Sequence, residues 1–169
     1  MARTAVNDKP PSPRVSVVVV TYESGDMLAE CLQALRRQTF SDFEVVLVDN
    51  ASSDGAARAA AEADPSIIAI PNAMNLGFAA AVNQAAARAR GRWLALINPD
   101  AFADPDWLGQ LMGAAHRHPQ VHAFGSRQLM ADDPGRLDGL GDVMSAAGFP
   151  FRGGYGRRDP GRLEIGESF

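Results

Sequence analysis

The segment "RVSVVVVTY", residues 14 to 22, is a valine-rich run without regular polar alternation. Such a run is typical of a strand buried on both faces, as in parallel sheets covered by helices. The pattern returns in "FEVVLVDN" from residue 43, in "SIIAI" from residue 66 and in "RWLALIN" from residue 92. In the last of these we expect residues 94 to 97 to be buried. Helical segments lie between the runs, so the sequence predicts an α/β domain with a mostly parallel sheet.

Apolar spacing and capping residues predict the helices. After Gly25, one helix has its apolar face on Met27, Leu28, Cys31, Leu32 and Leu35. A second covers 55–63, with Ser53 or Asp54 as its cap. A third lies within "NLGFAAAVNQAAARARG" and uses Gly91 as its C′ residue. Its basic end, Arg88 and Arg90, is expected to be solvated. A fourth covers about 105–116, with Pro105 in its first turn.

The chain organisation changes along its length. Residues 1–13 are polar and proline-rich, which predicts a disordered leader. Residues 14–130 hold the strand and helix pattern and form the predicted ligand-binding half. Residues 131–169 are rich in glycine and have no long apolar period, so we expect a loop-rich start of a further region, incomplete by residue 169.

Bulk properties exclude some classes of protein. With 169 residues the chain is long enough for one domain. Its net charge of −4 argues against nucleic-acid binding. One cysteine permits no intrachain disulfide, and no signal peptide or membrane span is evident. We therefore expect a cytoplasmic protein, with peripheral membrane association left open; nothing predicts the oligomeric state.

Polar residues follow each predicted strand where its apolar run ends. Because the carboxyl ends of parallel strands meet at one edge, where α/β sheets bind ligands, we expect these residues to lie together. They are Thr21, Tyr22, Glu23, Asp49, Asn50, Ser52, Asn75, Gly77, Phe78, Asn98 and Asp100.

The residue types indicate a nucleoside diphosphate and a divalent metal. Tyr22 can stack on a base, and Asp49 can accept a hydrogen bond from a base imide or a ribose hydroxyl. Gly77 lets backbone approach a ligand, and the helix beginning near Phe78 directs its positive end at the same edge. Asp100 is an oxygen ligand of the kind that Mg²⁺ takes together with substrate phosphates.

Each fragment alone also has a structural interpretation. Asp49 and Asp54 fit a helix cap or an Asx turn, and Tyr22 fits a half-buried aromatic at the sheet edge. Asn98-Pro99-Asp100 fits a turn. "HRHP", residues 116–119, places two histidines off a common helical face and lacks a third ligand. There is no Walker or dinucleotide motif.

Taken together, "VSVVVVTYESGDM", "VVLVDNASSDG", "NLGF" and "INPDA" resemble glycosyltransferase family 2, closest to its rhamnosyltransferase-like branch. The resemblance implies the GT-A fold, a Rossmann-like α/β/α sandwich. It implies an inverting glycosyltransferase of cell-wall or polysaccharide biosynthesis, acting at the inner face of the membrane. The donor would be a dTDP- or UDP-linked sugar, rhamnose by the branch, and the acceptor a glycan or lipid-linked hydroxyl.

The resemblance also assigns roles by position. Thr21, Tyr22 and Glu23 match the stretch that contacts the nucleoside, and Asp49 matches the acid that reads base or ribose, with Asn50 and Ser52 beside it. Asn75, Gly77 and Phe78 match the donor-side loop. Asn98-Pro99-Asp100 matches the D-x-D position, so Asp100 would ligate Mg²⁺ or Mn²⁺.

The catalytic base of the family comes from a later acidic motif. Glu164 and Glu167 in "RLEIGESF" lack its context, so we expect the chain to hold the donor site without the base, as a truncated fold. The alternatives are a noncatalytic nucleotide-sugar-binding module and a sugar nucleotidyltransferase. The second is disfavoured because "TYESGDM" has no basic residue for a triphosphate.

Overall fold

The computed structural model describes residues 12–144 and 150–161. The predicted leader lies outside the described residues apart from Ser12 and Pro13. Contacts between residues divide the chain into two compact units, Met1–Gln110 and Leu111–Phe169. In the described part of the chain, no helix combines the length and the apolar character needed to cross a membrane.

The first unit contains a four-stranded, wholly parallel sheet in the order β3-β2-β1-β4. Its strands are β1 (Val15–Thr21), β2 (Phe43–Asp49), β3 (Ile68–Pro71) and β4 (Trp93–Ile97). They alternate with α1 (Asp26–Arg36), α2 (Ala56–Ala63) and α3 (Phe78–Arg88), and α4 (Trp107–Arg117) follows β4. The predicted α/β class and the parallel sheet are confirmed.

The two faces of the sheet are covered by different helices. From β1 to β2 the chain moves one way across the sheet through α1, and from β3 to β4 it returns through α3. Right-handed crossovers in opposite directions place their helices on opposite faces. On the α3 face, Val18, Val46 and Val48 pack with Ala81 and Ala85, whose small side chains allow a close approach.

The burial predicted for residues 94–97 is wrong for one face of β4. Leu94 and Leu96 are 44% and 49% exposed, whereas Ala95, which points to the other face, is buried. The register explains this difference. Leu96 is level with Val18 and shares its face, but α3 lies over β1 and β2 and leaves this face of the edge strand β4 uncovered.

Gly91 does not serve as the predicted C′ residue. α3 ends at Arg88, and Ala89 already has extended backbone angles, φ −62° and ψ 139°. A Cβ atom on Gly91 would lie 2.5 Å from the backbone nitrogen of Ser16. Glycine is therefore required here because the chain passes directly against β1 on its way into β4.

Arg90 is not simply solvated as predicted. Its guanidinium is 2.6 Å from the carboxylate of Glu44, which is almost fully buried in β2. Ser16 donates to the same carboxylate at 2.6 Å. Burial opposes the charge of Glu44, but the hydrogen bonds from Ser16 and Arg90 outweigh it and hold the pKa of this carboxyl below its usual value.

The strand ends are not level across the sheet. Thr21, Asp49 and Pro71 are aligned, so β1, β2 and β3 end together. β4 ends at Ile97, which is aligned with Val19, so the chain leaves the sheet two residues earlier. At about 3.3 Å per residue, the difference is roughly 7 Å and forms a step beside β1.

The second unit contains short antiparallel pairs. β5 (Gln128–Leu129) pairs with β6 (Leu137–Gly139), and β7 (Asp142–Met144) pairs with β8 (Pro150–Arg152). Arg127 and Asp159 form an ion pair at 3.1 Å. In the described part of residues 131–169, the loops are interrupted by β6, β7, β8 and an isolated bridge between Arg136 and Arg158.

Candidate functional site

A cleft of about 500 Å³ lies at the carboxyl ends of the strands. Val20 is partly buried, and because β4 ends before it, it also forms part of the cleft lining. Residues that follow all four strands complete the lining: Tyr22, Glu23, Ser24, Met27, Asn50, Asn75, Gly77, Phe78, Asn98, Pro99 and Asp100. The topology therefore brings together most of the residues selected from the sequence.

The loop after β1 is held by the loop after β2. Glu23 Oε1 accepts a hydrogen bond from the backbone N–H of Ser53 at 2.7 Å, and the backbone N–H of Glu23 donates to Ser52 Oγ at 3.1 Å. Glu23 has a φ of 51° and Ala51 a φ of 68°, both in the left-handed region that non-glycine residues rarely adopt. These contacts hold Tyr22, which is 54% exposed, at the edge of the cleft.

Asp54 supports the start of α2, but the N-cap position predicted for Ser53 or Asp54 is occupied by Gly55. Asp54 Oδ1 accepts from the backbone N–H of Ala56 at 3.0 Å, and Oδ2 accepts from the backbone N–H of Gly25 at 2.8 Å. The hydrogen bond from Gly25 and then that from Ala56 lower the pKa of Asp54. One carboxylate thus supports both the start of α2 and the chain entering α1.

The loop after β3 is held by side-chain amides. Asn50 is buried, and its Nδ2 donates to Asn75 Oδ1 at 2.9 Å. Asn50 Oδ1 accepts from Asn72 Nδ2 and from the backbone N–H of Leu76, each at 3.1 Å. Asn75 Oδ1 also accepts from the backbone N–H of Gly77 at 2.9 Å. This network fixes the path of the chain into α3.

The N-terminus of α3 is open toward the cleft. Gly77, with a φ of 81°, occupies the N-cap position, and no side chain of the described residues caps the first turn. Gly77 and Phe78 both line the cleft, as predicted. The free N–H groups and the positive end of the helix favour an anion at this position.

Asp100 presents an exposed carboxylate to the opposite side of the cleft. Within the described residues, no hydrogen bond or ion pair engages this carboxylate. The turn interpretation of residues 98–101 is also correct, because the backbone N–H of Ala101 donates to the carbonyl of Asn98 at 3.1 Å. Asn98 and Asp100 therefore form a turn that leaves a carboxylate free.

A divalent metal fits this position only with help from a ligand. Among residues 12–144 and 150–161, no group of three or more histidine, cysteine or acidic side chains is close enough to hold a metal. This includes the "HRHP" segment. One carboxylate together with substrate phosphates is a common way to hold Mg²⁺, so Asp100 suits a metal that arrives with a diphosphate.

Three predicted residues, Thr21, Asp49 and Ser52, lie beside the cleft rather than in its lining. Thr21 is buried, and its hydroxyl donates to Ser24 Oγ at 2.7 Å. Asp49 Oδ1 accepts from the backbone N–H of Ser52 at 2.9 Å. The alternation of side chains along a strand explains the positions of Thr21 and Asp49. These two residues are aligned with each other in the sheet, and their side chains lie on the face opposite Val20 and Val48.

Sequence reasoning missed several residues of the site. The helical spacing predicts Met27 on the buried face of α1, but it is 47% exposed and lines the cleft. The valine run predicts that Val20 is buried; it is partly buried, and its place in the cleft lining depends on the strand register, which the run does not contain. Gln84 was not selected because it lies two turns into α3, and its hydrogen bonds with Asn72 are visible only in three dimensions.

Comparisons with known proteins identify relatives of this chain. A family model described as glycosyl transferase family 2 matches residues 16–152. The N-acetylglucosaminyl-diphospho-decaprenol L-rhamnosyltransferase of Mycobacterium tuberculosis is 33% identical over 132 residues, which cover 72% of this chain and 42% of that protein. The chain thus spans less than half the length of this relative.

Solved structures share the fold. S. aureus TarS 1–349 in complex with UDP has a TM-score of 0.58 and 24% identity, covering 69% of this chain and 39% of that one. The mannosyltransferase PcManGT from Pyrobaculum calidifontis, in complex with GDP-Man and Mn²⁺, has a TM-score of 0.50 and 33% identity, covering 55% and 29%. The GT-A architecture expected from the sequence is confirmed.

Proposed function

The chain belongs to glycosyl transferase family 2, and on that premise we propose that its cleft binds the nucleotide-sugar donor of a glycosyltransferase. The observation that carries this proposal is the pairing of the open N-terminus of α3 with the free carboxylate of Asp100 across one cleft. The first suits phosphate, and the second suits a cation that phosphate brings with it.

The remaining side chains suit a nucleoside. Tyr22 is exposed at the edge of the cleft and offers its ring for stacking on a base. Only Oδ1 of Asp49 takes part in a hydrogen bond among the described residues, which leaves Oδ2 for a base or ribose donor. Glu23 and Ser52 contribute to the nucleoside side of the cleft through the hydrogen bonds that hold the loop of Tyr22 in place.

Mg²⁺ or Mn²⁺ would be held by Asp100, with Asn98 as a neutral neighbour. When bound, such an ion would supply Lewis-acid stabilisation of the negative charge on a departing diphosphate. The mannosyltransferase PcManGT, solved in complex with GDP-Man and Mn²⁺, supports a divalent ion here.

We infer the donor sugar and the acceptor from the name of the mycobacterial relative. Its name describes transfer of rhamnose to a decaprenol-linked acceptor. We infer a dTDP- or UDP-linked sugar, with rhamnose as first choice, and a lipid-linked glycan acceptor. The reaction then lies at the cytoplasmic face of a membrane and contributes to cell-wall or polysaccharide synthesis.

Transfer with inversion needs a carboxylate base near the acceptor hydroxyl. Among the described residues of the cleft, Glu23 is engaged by Ser53 and Asp100 faces the proposed metal. We therefore place the base outside these residues, and the role of this cleft is to bind and orient the donor.

Titration calorimetry of the full chain with UDP and dTDP, with and without Mn²⁺, tests the proposal. We expect binding that depends on Mn²⁺ and is abolished in Asp100→Ala. Asp104→Ala is the matched control, because Asp104 is exposed and outside the cleft lining. Equal, Mn²⁺-dependent binding in wild type and Asp100→Ala rules out the role of Asp100. No binding by the wild-type chain rules out the donor site.

A further inference from the structure

Gln84 on α3 is joined to the cleft through a chain of amides. Gln84 Nε2 donates to Asn72 Oδ1 at 3.0 Å, and Asn72 Nδ2 donates back to Gln84 Oε1 at 2.9 Å. Asn72 Nδ2 also donates to Asn50 Oδ1, at 3.1 Å. Asn50 in turn holds Leu76 and Asn75. Gln84 itself is absent from the cleft lining.

We propose that Gln84 is a positioning residue for the donor site. Through Asn72 and Asn50 it fixes the loop of residues 72–77, and with it the first N–H groups of α3. The inference rests on the proposed function, since it assigns to Gln84 an effect on donor binding.

The loop needs such support because it has little apolar packing of its own. Met74 is 65% exposed and Leu76 is 43% exposed, so neither anchors the loop in the core. Between Pro71 and Phe78 only Asn72 is even partly buried. Polar contacts therefore determine where this segment lies.

The orientation of the Asn72 amide follows from its two partners together. The backbone N–H of Leu76 requires Asn50 to present Oδ1, so Asn72 directs its nitrogen to that oxygen. The reciprocal pair with Gln84 holds Asn72 in this position. Asn50 is only 3% exposed. A buried amide without correctly oriented partners is costly, so Asn50 transmits the orientation to the loop.

The helix itself does not depend on Gln84. Ala81 and Ala85 of α3 are fully buried against Val18, Val46 and Val48. These contacts remain when the Gln84 amide is replaced. Replacing Gln84 is therefore expected to loosen the loop of residues 72–77 while α3 keeps its position on the sheet.

Gln84→Met tests the inference, because methionine keeps the length of the side chain and removes its polar groups. Asn83→Leu is the matched control: Asn83 is the adjacent residue of α3, is exposed and carries the same amide group. Calorimetry with UDP and dTDP in Mn²⁺ is performed well below the melting temperature of each variant. We expect Gln84→Met to weaken binding about tenfold and Asn83→Leu to leave it unchanged.

This measurement separates positioning from a merely structural role. Far below the melting temperature the unfolded fraction is negligible, so a loss of stability alone does not move Kd. Unchanged Kd in Gln84→Met, with wild type binding, overturns the inference and leaves the proposed function intact. A wild-type chain that binds neither nucleotide overturns the proposed function and the inference together.

Two further variants cover a failure of Gln84→Met to fold. Gln84→Glu retains the oxygen that accepts from Asn72, but it replaces the donor with a second acceptor and adds a negative charge, and we expect it to weaken binding as well. Asn72→Leu removes the next member of the chain. Where Gln84→Met folds, its combination with Asn72→Leu binds no more weakly than Asn72→Leu alone if both residues act through the same contacts. Additive losses overturn the proposed route.

Discussion

The carboxylate of Glu23 accepts a hydrogen bond from the backbone N–H of Ser53, which lies 30 residues further along the chain, at 2.7 Å. This contact joins the loops after β1 and β2 and holds Glu23 in a left-handed conformation, with φ 51°. A side chain that the sequence presents as a ligand contact thus has a clear role within the protein itself.

Glu23→Ala is expected to lower the free energy of unfolding by about 1–2 kcal/mol and to weaken nucleotide binding. The variant loses the acceptor for Ser53 and retains the unfavourable backbone angle. Chemical denaturation and calorimetry measure the two effects. Glu62→Ala, on the exposed surface of α2, is the control. Unchanged stability and affinity in Glu23→Ala would contradict the role described for this contact.

Gly91→Ala is expected to destabilise the first unit by about 2 kcal/mol or more, because its Cβ would lie 2.5 Å from Ser16 N and 2.6 Å from the Val15 carbonyl carbon. Thermal or urea unfolding measures the loss. Gly125→Ala is the control, since a Cβ there meets nothing within 4 Å. Equal stability of the two variants would show that the chain relaxes away from β1 at no cost.

Glu44 is expected to contribute to acid sensitivity. Its pKa is lowered in the folded protein, so between that lowered value and about pH 4.3, the usual pKa of a glutamate, the unfolded state binds more protons than the folded state. The contribution of Glu44 is complete above that pH and is lost as the pH falls through the lower, folded pKa. Glu44→Gln should reduce the steepness of the fall in stability between about pH 5 and pH 3.

Melting temperatures across this range, for wild type and Glu44→Gln, measure the effect. Glu30→Gln on the exposed face of α1 serves as the control. If Glu44→Gln and wild type lose stability in parallel, the hydrogen bonds from Ser16 and Arg90 to Glu44 do not contribute to the acid response.

Cys31 is expected to resist alkylation in the folded protein. Burial, with a smaller contribution from the charge of Asp100, raises the pKa of this thiol to about 11. At about pH 8 the thiolate fraction then falls on the order of 100-fold relative to a free cysteine. Mass spectrometry after iodoacetamide treatment follows the reaction at the chain's one cysteine. Equal rates in buffer and in guanidinium chloride would contradict this burial.

The order of strands and helices was predictable because each element carries its own local pattern. The valine-rich β1 and β2 and the apolar face of α1 need no knowledge of neighbours. The convergence of Tyr22, Asn50, Gly77 and Asp100 was predictable as well, since it follows from the geometry of parallel sheets.

Properties that depend on neighbours were not predictable. The exposure of Leu94 follows from the position of β4 at the edge of the sheet, and the need for glycine at Gly91 follows from its approach to Ser16. The ion pair between Glu44 and Arg90 joins residues 46 positions apart. The face on which Asp49 lies depends on strand register. Periodicity contains none of this information.

The early end of β4 restricts how this strand can vary in evolution. Deleting one residue between Gly91 and Ile97 would move Asn98 and Asp100 by about 3.3 Å and exchange the faces of the side chains before them. Substitutions at Leu94 or Leu96, whose side chains are largely exposed, leave this spacing intact. Among homologues, we therefore expect the length of this segment to be kept more strictly than its composition.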